Sequence, residues 1–576
     1  MKSQRENDQV SLRCWFVISL FFICMFALTS RAVYLQLLST EYGKKGDEAG
    51  VGIVNVSAHR GAIMDRNGEQ LAISTPVDSI WTEPRKLLNE KDLKPLASLL
   101  NRSEQELKKF LKARTRRDFV WLKRHANPIL VDEIKKLGLK GISTQPEYKR
   151  YYPAAEMASH VIGVTNVDDE GQEGIELAYN KILKGKTGKK RVLKDRFGRI
   201  VRDIENVKSS EPGVEIQLSI DKRIQFLAYR ELAAAVTNHQ AISGTLVMLD
   251  VKTGEVIAMV GQPSFNPNNR GWLKNAARNR SVTDVFEPGS TMKIFTIAAG
   301  LESGIFTPQT VIDTSPGVFK VGNRSISDHR NYGSIDVTTV ITKSSNIGAT
   351  KIALALRPEY LYDVLNRFEF GQTTGSGFPG ERSGLLRSFN TWTEQDIASL
   401  SYGYGIEVTS LKLAHAYSII ANDGIKLPVS FVKSNNSIEG ERVISKKIAR
   451  QIRDMLETVV SSKGTASRAG IKGYRVIGKT GTAHKFNPKG GYFDDRYRSL
   501  FVGIVPASNP RFVTVVTIDE PNKETGHFGG AVAAPVFAKV MEGALRILNI
   551  PPDDLNNFNM PIIADMIRIK KLKGYE

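Results

Sequence analysis

Cysteine is nearly absent: among 576 residues there are two, Cys14 and Cys24, both in one apolar run near the N-terminus. That excludes a disulfide scaffold and any cysteine-rich zinc site. Everything beyond position 24 lacks cysteine, which suits an oxidising compartment. Histidine is scarce, with eight residues, and none forms H-E-x-x-H, so a zinc peptidase has no support. No metal and no cofactor is implied. Internal repeats and low-complexity blocks are missing. Acidic residues are outnumbered, 60 against 80 Lys and Arg, for a formal charge of +20. A basic surface suits anionic lipid or another anionic polymer. No nucleic acid is expected as a partner, because the chain lacks a basic helix, an aromatic platform and a zinc module.

What is present is ordinary globular composition, 41% hydrophobic and 24% charged. At about 150 residues per domain the length suggests two to four units. One long apolar run exists, residues 14–30, uncharged over seventeen positions. That is the short end of a membrane span, and Ala32 to Leu35 extend it past Arg31. No A-x-A-like cleavage site closes it. We expect an uncleaved, single-pass signal anchor over residues 14–38 behind a cytoplasmic segment, 1–13. The flanking charges, Lys2, Arg5 and Arg13 against Arg31, Lys44 and Lys45, do not decide orientation. Export of the long C-terminal part is the working choice.

Residues 51–56 alternate as a strand, and Asn67-Gly68 between apolar runs signals a hairpin. The Lys- and Arg-rich stretch 108–124 reads as a solvated face. A domain boundary falls near Pro212, dividing a β-rich unit, 50–215, from a larger one, 216–555; a basic tail, 556–576, follows. In the larger unit, residues 214–218 read as a strand and 221–236 as a helix with Asp221 as N-cap. Residues 245–249 and 255–260 form a hairpin. A helix-rich stretch leads to strands at 474–477, 499–505 and 512–518 and a closing helix at 531–548. This order predicts an α/β (α+β) domain with helices around a mainly antiparallel sheet.

Three short patterns carry chemistry: S-x-x-K, S-x-N and K-T-G. Each recurs by chance, so context selects the working set. S-x-x-K occurs at Ser219, Ser290 and Ser430. Only Ser290 opens an apolar helix, directly after Pro288-Gly289, with Lys293 on the same face. Desolvation and the helix N-terminus both disfavour charge on that lysine and suit it to act as a base. Of the K-T-G sites, Lys186 and Lys252 read as turns. Lys479-Thr480-Gly481-Thr482 follows the strand 474–478; in extended conformation Gly481 would let a substrate backbone approach. Ser344-Ser345-Asn346 makes a polar break between two apolar helical pieces, and its polar groups need partners. A serine nucleophile, a lysine base and a second Ser/Lys pair define active-serine acyl transfer.

The likeness extends beyond these motifs. FEPGSTMK (286–293), KSSNIG (343–348), GERSGL (380–385) and KTGTA (479–483) resemble class B penicillin-binding proteins. So do RGAIMDRNG (60–68), RYYP (150–153), HVIG (160–163) and Gly174-Ile175-Glu176. Tyr402-Gly403-Tyr404-Gly405 and GGAVAAPVF (529–537) look like the division-specific members of Gram-negative bacteria. The resemblance implies a peptidoglycan D,D-transpeptidase of the inner membrane, with its catalytic part in the periplasm at the septum. Ser290 would attack the penultimate carbonyl of a D-Ala-D-Ala stem peptide and Lys293 take its proton. Ser344 and Lys479 would relay a proton to the departing D-Ala, and Asn346 would hold the substrate amide or Lys293. Thr480 and Thr482 would receive the terminal carboxylate, and the backbone N–H groups of Ser290 and Thr482 would form the oxyanion hole. A neighbouring stem-peptide amine would accept the acyl group, and β-lactam antibiotics would acylate Ser290. Residues 50–215 would be a non-catalytic pedestal of dimerisation type. The family uses Arg60, Asp65 and Arg66 structurally. Implied partners are an FtsW-like glycosyltransferase and other divisome membrane proteins.

Overall fold

The computed structural model describes residues 2–34, 51–194, 200–269, 278–434 and 438–554. The tail 556–576, Lys44 and Lys45, and the last residues assigned to the anchor lie outside them. A helix, Lys2–Val33, contains an apolar stretch, Cys14–Val33, long enough to cross a membrane and fully exposed. It accords with the expected span.

The chain divides into two compact units. One comprises Met1–His59, Pro76–Tyr148 and Gly185–Gly213. The alternating residues near 51 form the strand Val51–Val56, the edge of a three-stranded antiparallel sheet with Gly188–Lys194 and Ile200–Lys208. A separate small core of Ile80, Leu87, Leu107, Leu111 and Ile134 lies under the helices Glu104–Lys112 and Pro128–Lys136. The first of these begins with a reciprocal cap: Glu106 N–H donates to Ser103 Oγ, and Ser103 N–H donates to Glu106 Oε2.

The second unit comprises Arg60–Thr75, Lys149–Lys184 and Val214–Glu576. Asn67-Gly68 makes its hairpin, with Asp65 Oδ1 accepting from the N–H groups of Asn67 and Glu69. Arg60 and Arg150 both pair with the fully buried Glu176, at 2.7 and 2.6 Å. Arg60 therefore has a structural partner set that its buried charge requires.

At the centre of this unit is a five-stranded antiparallel sheet. Its strands are β1 (Ser243–Asp250), β2 (Val256–Gln262), β3 (Ile477–Phe486), β4 (Tyr492–Val505) and β5 (Phe512–Asp519), in the order β2-β1-β5-β4-β3. Both faces are covered, so β1 and β5 are buried at every position instead of alternating. Thr514 and Thr517 on β5 show this. They lie three apart and point to opposite faces. Thr514 donates to Met541 Sδ of the closing helix, while Thr517 meets Ser410 of another. Among the helices that frame the sheet and the site are α1 (Lys222–Asn238), α2 (Lys293–Glu302), α3 (Val337–Lys343), α4 (Asn346–Leu354), α5 (Ser410–Ala421) and α6 (Ala534–Ile547). Asp221 caps α1 by accepting from Arg223 N–H.

Two sequence expectations shift. The strand expected at 474–477 begins at Ile477 and runs through Lys479-Thr480-Gly481-Thr482, which lie within the strand and not after it. Arg475 is held outside it, its N–H donating to Asp553 and its guanidinium pairing with Glu457. The closing helix is broken at Ala533, the residue between a short turn of helix, Gly529–Val532, and α6.

Candidate active site

Ser290 lies in a 3₁₀ turn, Gly289–Met292, that runs directly into α2. Helix α2 is buried along its length, and Phe295 packs edge-on against Phe368, Phe370 and Tyr417. The turn is pinned from below, since Tyr417 Oη donates to Thr291 O at 2.7 Å. Gly289 N–H donates to Gly403 O, an approach open only to glycine: a Cβ on Gly403 would sit 2.1 Å from Gly289 O. Gly481 is close-packed in the same way. A Cβ there would meet Pro288 O and Thr291 Cγ2 at 3.0 Å, so the glycine admits the nucleophile turn.

Ser344 ends α3 in the left-handed conformation, φ 59°, and Ser345 caps α4 by accepting from Gly348 N–H. A non-glycine residue there costs roughly 1–2 kcal/mol. The turn aims two Ser344 oxygens at one amine: Lys293 Nζ donates to Ser344 O at 2.5 Å and lies 3.1 Å from Ser344 Oγ. Lys293 Nζ also lies 3.1 Å from Ser290 Oγ and donates to Asn346 Oδ1 at 2.7 Å. The orientation of the Asn346 amide follows from its other end, where Nδ2 donates to Ser327 O. Lys479, on β3, reaches Ser344 Oγ at 2.9 Å. Ser344 Oγ thus lies between two lysine nitrogens.

Both lysines are fully buried. Burial, followed by the neighbouring Lys479 charge, pushes the Lys293 amine well below the ordinary lysine value, with Asp328 opposing. Burial brings Lys479 down to about 7. The geometry suits a neutral Lys293. Its two N–H bonds are taken by oxygens that only accept, Ser344 O and Asn346 Oδ1, which leaves the lone pair for a hydroxyl proton.

All five predicted catalytic residues, Ser290, Lys293, Ser344, Asn346 and Lys479, therefore meet in one hydrogen-bonded cluster. The threonines stand apart from it: Thr480 Oγ1 shares a hydrogen bond with Thr465 Oγ1, and Thr482 Oγ1 accepts from Gly529 N–H. The rival motifs go elsewhere. Ser219 Oγ donates to Val256 O and Ser430 Oγ to Val432 O, both backbone partners. Lys186 pairs with Glu211, and Lys252 lies in the turn between β1 and β2.

Sequence reasoning missed Asp328. Its carboxylate accepts from Ser345 Oγ and Asn346 N–H, each at 2.5 Å, and from Ile347 N–H at 3.2 Å. It supplies negative charge at the N-terminus of α4 and fixes the turn that presents Ser344 and Asn346. No local spacing links it to them.

Comparison with known proteins agrees with this arrangement. Residues 244–542 match the penicillin binding protein transpeptidase domain, and residues 55–218 match the penicillin-binding protein dimerisation domain. The chain is 40% identical to peptidoglycan D,D-transpeptidase FtsI of Escherichia coli K12, over 96% of this chain and 95% of that protein. It is 41% identical to the probable peptidoglycan D,D-transpeptidase PbpC of Pseudomonas aeruginosa, over 98% and 99%. Among solved structures, penicillin binding protein 3 of Mycobacterium tuberculosis in complex with aztreonam matches with a TM-score of 0.68 and 28% identity, covering 87% of this chain and 98% of that one. The transpeptidase domain of Burkholderia pseudomallei penicillin-binding protein 3 matches with a TM-score of 0.54 and 44% identity, covering 60% and 98%. The chain belongs to the class B penicillin-binding proteins and is a peptidoglycan D,D-transpeptidase of that family.

Proposed function

We propose that this enzyme cross-links stem peptides of septal cell wall during division, through an acyl-Ser290 intermediate. The observation that carries the reading is the pair of buried lysines converging on Ser290 and Ser344. Lys293 Nζ removes the Ser290 proton as Oγ attacks the penultimate D-Ala carbonyl. Ser344 Oγ and Lys479 pass a proton to the leaving D-Ala. Asn346 holds Lys293 in place. Thr480 and Thr482 receive the terminal carboxylate, and the N–H groups of Ser290 and Thr482 stabilise the oxyanion. An amine from a second stem peptide then takes the acyl group.

β-Lactams acylate the same serine. The complexes of the M. tuberculosis relative with aztreonam and ampicillin support this. The N-terminal helix anchors the chain once in the inner membrane, with the catalytic unit in the periplasm. The residues that match the dimerisation domain serve as a pedestal, and an FtsW-like glycosyltransferase and other divisome membrane proteins are its partners. The septal role is supported by near full-length similarity to E. coli FtsI.

Complementation tests it. In an E. coli strain depleted of its own FtsI, this chain is expected to suppress filamentation and Ser290→Ala to fail. Filaments with the wild-type chain expressed and membrane-inserted count against the septal role. Rescue by Ser290→Ala counts against acyl-Ser290 chemistry.

A further inference from the structure

A groove of about 1140 Å³ lies in the first unit, and every residue that lines it belongs to that unit. A pocket for one small molecule holds about 300–1,000 Å³, so this one suits a segment of polymer. One wall is aromatic. The strands Gln70–Thr82 and Val120–Ala126 pair Trp81 with Trp121. Phe119, just before the second strand, packs on both, 4.8 Å from Trp81 and edge-on to Trp121 at 4.7 Å. Arg124 lies over the Trp121 ring at 5.2 Å and pairs with Glu147, which holds the aromatic group in place. Trp81 and Phe119 line the groove, and Phe119 is 42% exposed, so much of its ring is open to a ligand. The charges in the groove pair off: Lys86 with Glu83 and Lys190 with Asp203, each at 2.7 Å, and Lys135 with Asp78 at 3.9 Å. Asp118 alone among the lining charges has no ion-pair partner among the described residues. The chain neighbours of these lining residues are basic. Arg85 lies between Glu83 and Lys86 in sequence, and Arg116 and Arg117 precede Asp118. Arg85 Nε donates to Thr115 O at 2.6 Å, which ties it to the turn that carries the other two. All three arginines are exposed, and among the described residues none pairs with a carboxylate.

An aromatic face among paired charges suits a neutral sugar. The positively polarised C–H groups of a sugar ring lie on the negative face of an aromatic ring, and its hydroxyls bond to carboxylates and amines alike. The rim guanidinium groups select carboxylates. A neutral sugar backbone with carboxylates hung from it meets both demands, and the peptidoglycan on which this family acts is such a polymer. We propose that this groove holds the amino-sugar backbone of a peptidoglycan strand, with Arg85, Arg116 and Arg117 taking carboxylates of its stem peptides. The surface goes beyond the transpeptidation proposed above: it makes and breaks no bond, and it needs neither acyl-Ser290 nor a septal location. Its effect is to keep a strand on the enzyme between cross-linking events, which raises the local concentration of stem peptides. An apolar protein segment is the competing occupant. It would cover the aromatic wall but leave the three arginines unused.

The test uses the full chain in detergent micelles, treated with penicillin, and reads the fluorescence anisotropy of dye-labelled, un-cross-linked peptidoglycan strands. Phe119→Ala is expected to weaken binding about tenfold. Phe119→Leu keeps an apolar side chain in the packing but has no aromatic face, and it too is expected to weaken binding. The double variant Arg116→Gln, Arg117→Gln is expected to weaken binding about fivefold and to flatten its salt dependence. A neutral N-acetylglucosamine oligomer and the free stem pentapeptide serve as competitors. The oligomer is expected to displace the strand, with its own affinity lowered by Phe119→Ala and unchanged in the double arginine variant. The free stem peptide is expected to compete poorly. Strand binding undiminished in both Phe119 variants overturns the site and leaves the groove to an apolar protein segment. A stem peptide that competes as well as the strand overturns the sugar assignment.

Discussion

Lys293 and Lys479 place two amines in the core where a neutral side chain of similar size would pack without desolvation cost. That cost has a pH signature. The Lys479 amine titrates near 7 when folded and near 10.5 when unfolded, so between those values the unfolded chain binds more protons and stability rises with pH. Below about 7 both states are protonated and the penalty is complete. Lys479→Met is therefore expected to raise Tm by about 2 °C or more at pH 6, with the gain shrinking as pH approaches 10. A gain independent of pH would contradict a charged, buried Lys479. Lys293 must be neutral to take a proton. Penicillin acylation measured against pH should rise along a limb well below the ordinary lysine value. Lys293→Ala should slow acylation about 100-fold or more. These residues were legible in the sequence because helix onset after Pro288-Gly289 separates Ser290 from Ser219 and Ser430, whose hydroxyls bond to backbone carbonyls.

The elements that deliver these side chains were legible in type and less so in their joints. The break between α3 and α4 was visible as a polar interruption of two apolar runs. Its anchor, Asp328, was not, because it follows the hairpin Val318–Val321/Arg324–Ser327 and reaches the turn only in three dimensions. Asp328→Ala removes three hydrogen bonds from the turn. Acylation is expected to fall at least tenfold, in a stopped-flow assay with a chromogenic β-lactam, while the circular dichroism spectrum is retained. Gly403 belongs to the same scale. Any side chain there meets the Gly289 carbonyl, so Gly403→Ala should displace the Ser290 turn and lower acylation more than it lowers Tm. Normal acylation of Gly403→Ala would show that the turn tolerates movement. Gly481 shows the limit of such a reading: glycine on a strand signals close approach, and only the fold shows that Pro288 and Thr291 pack against it.

For the whole molecule, a linear reading places one boundary near Pro212, while Arg60–Thr75 and Lys149–Lys184 belong by their contacts to the C-terminal unit. Within these segments Arg60 and Arg150 both pair with Glu176, across 116 and 26 residues, and no composition shift marks such pairs. Glu176→Leu leaves two buried guanidinium groups without their carboxylate and is expected to cost about 3–5 kcal/mol, read from denaturant unfolding. The N-terminal helix was legible because its apolar run is long enough to cross a membrane. Removing residues 1–38 should leave a soluble chain that penicillin still acylates. The most direct test of the central claim is the intact mass of the protein after exposure to a penicillin, with Ser290→Ala beside it. One stable adduct on the wild-type chain and none on Ser290→Ala is the expected result. An adduct that persists on Ser290→Ala, or destruction of the drug with the wild-type chain left unmodified, would contradict the acyl-Ser290 account.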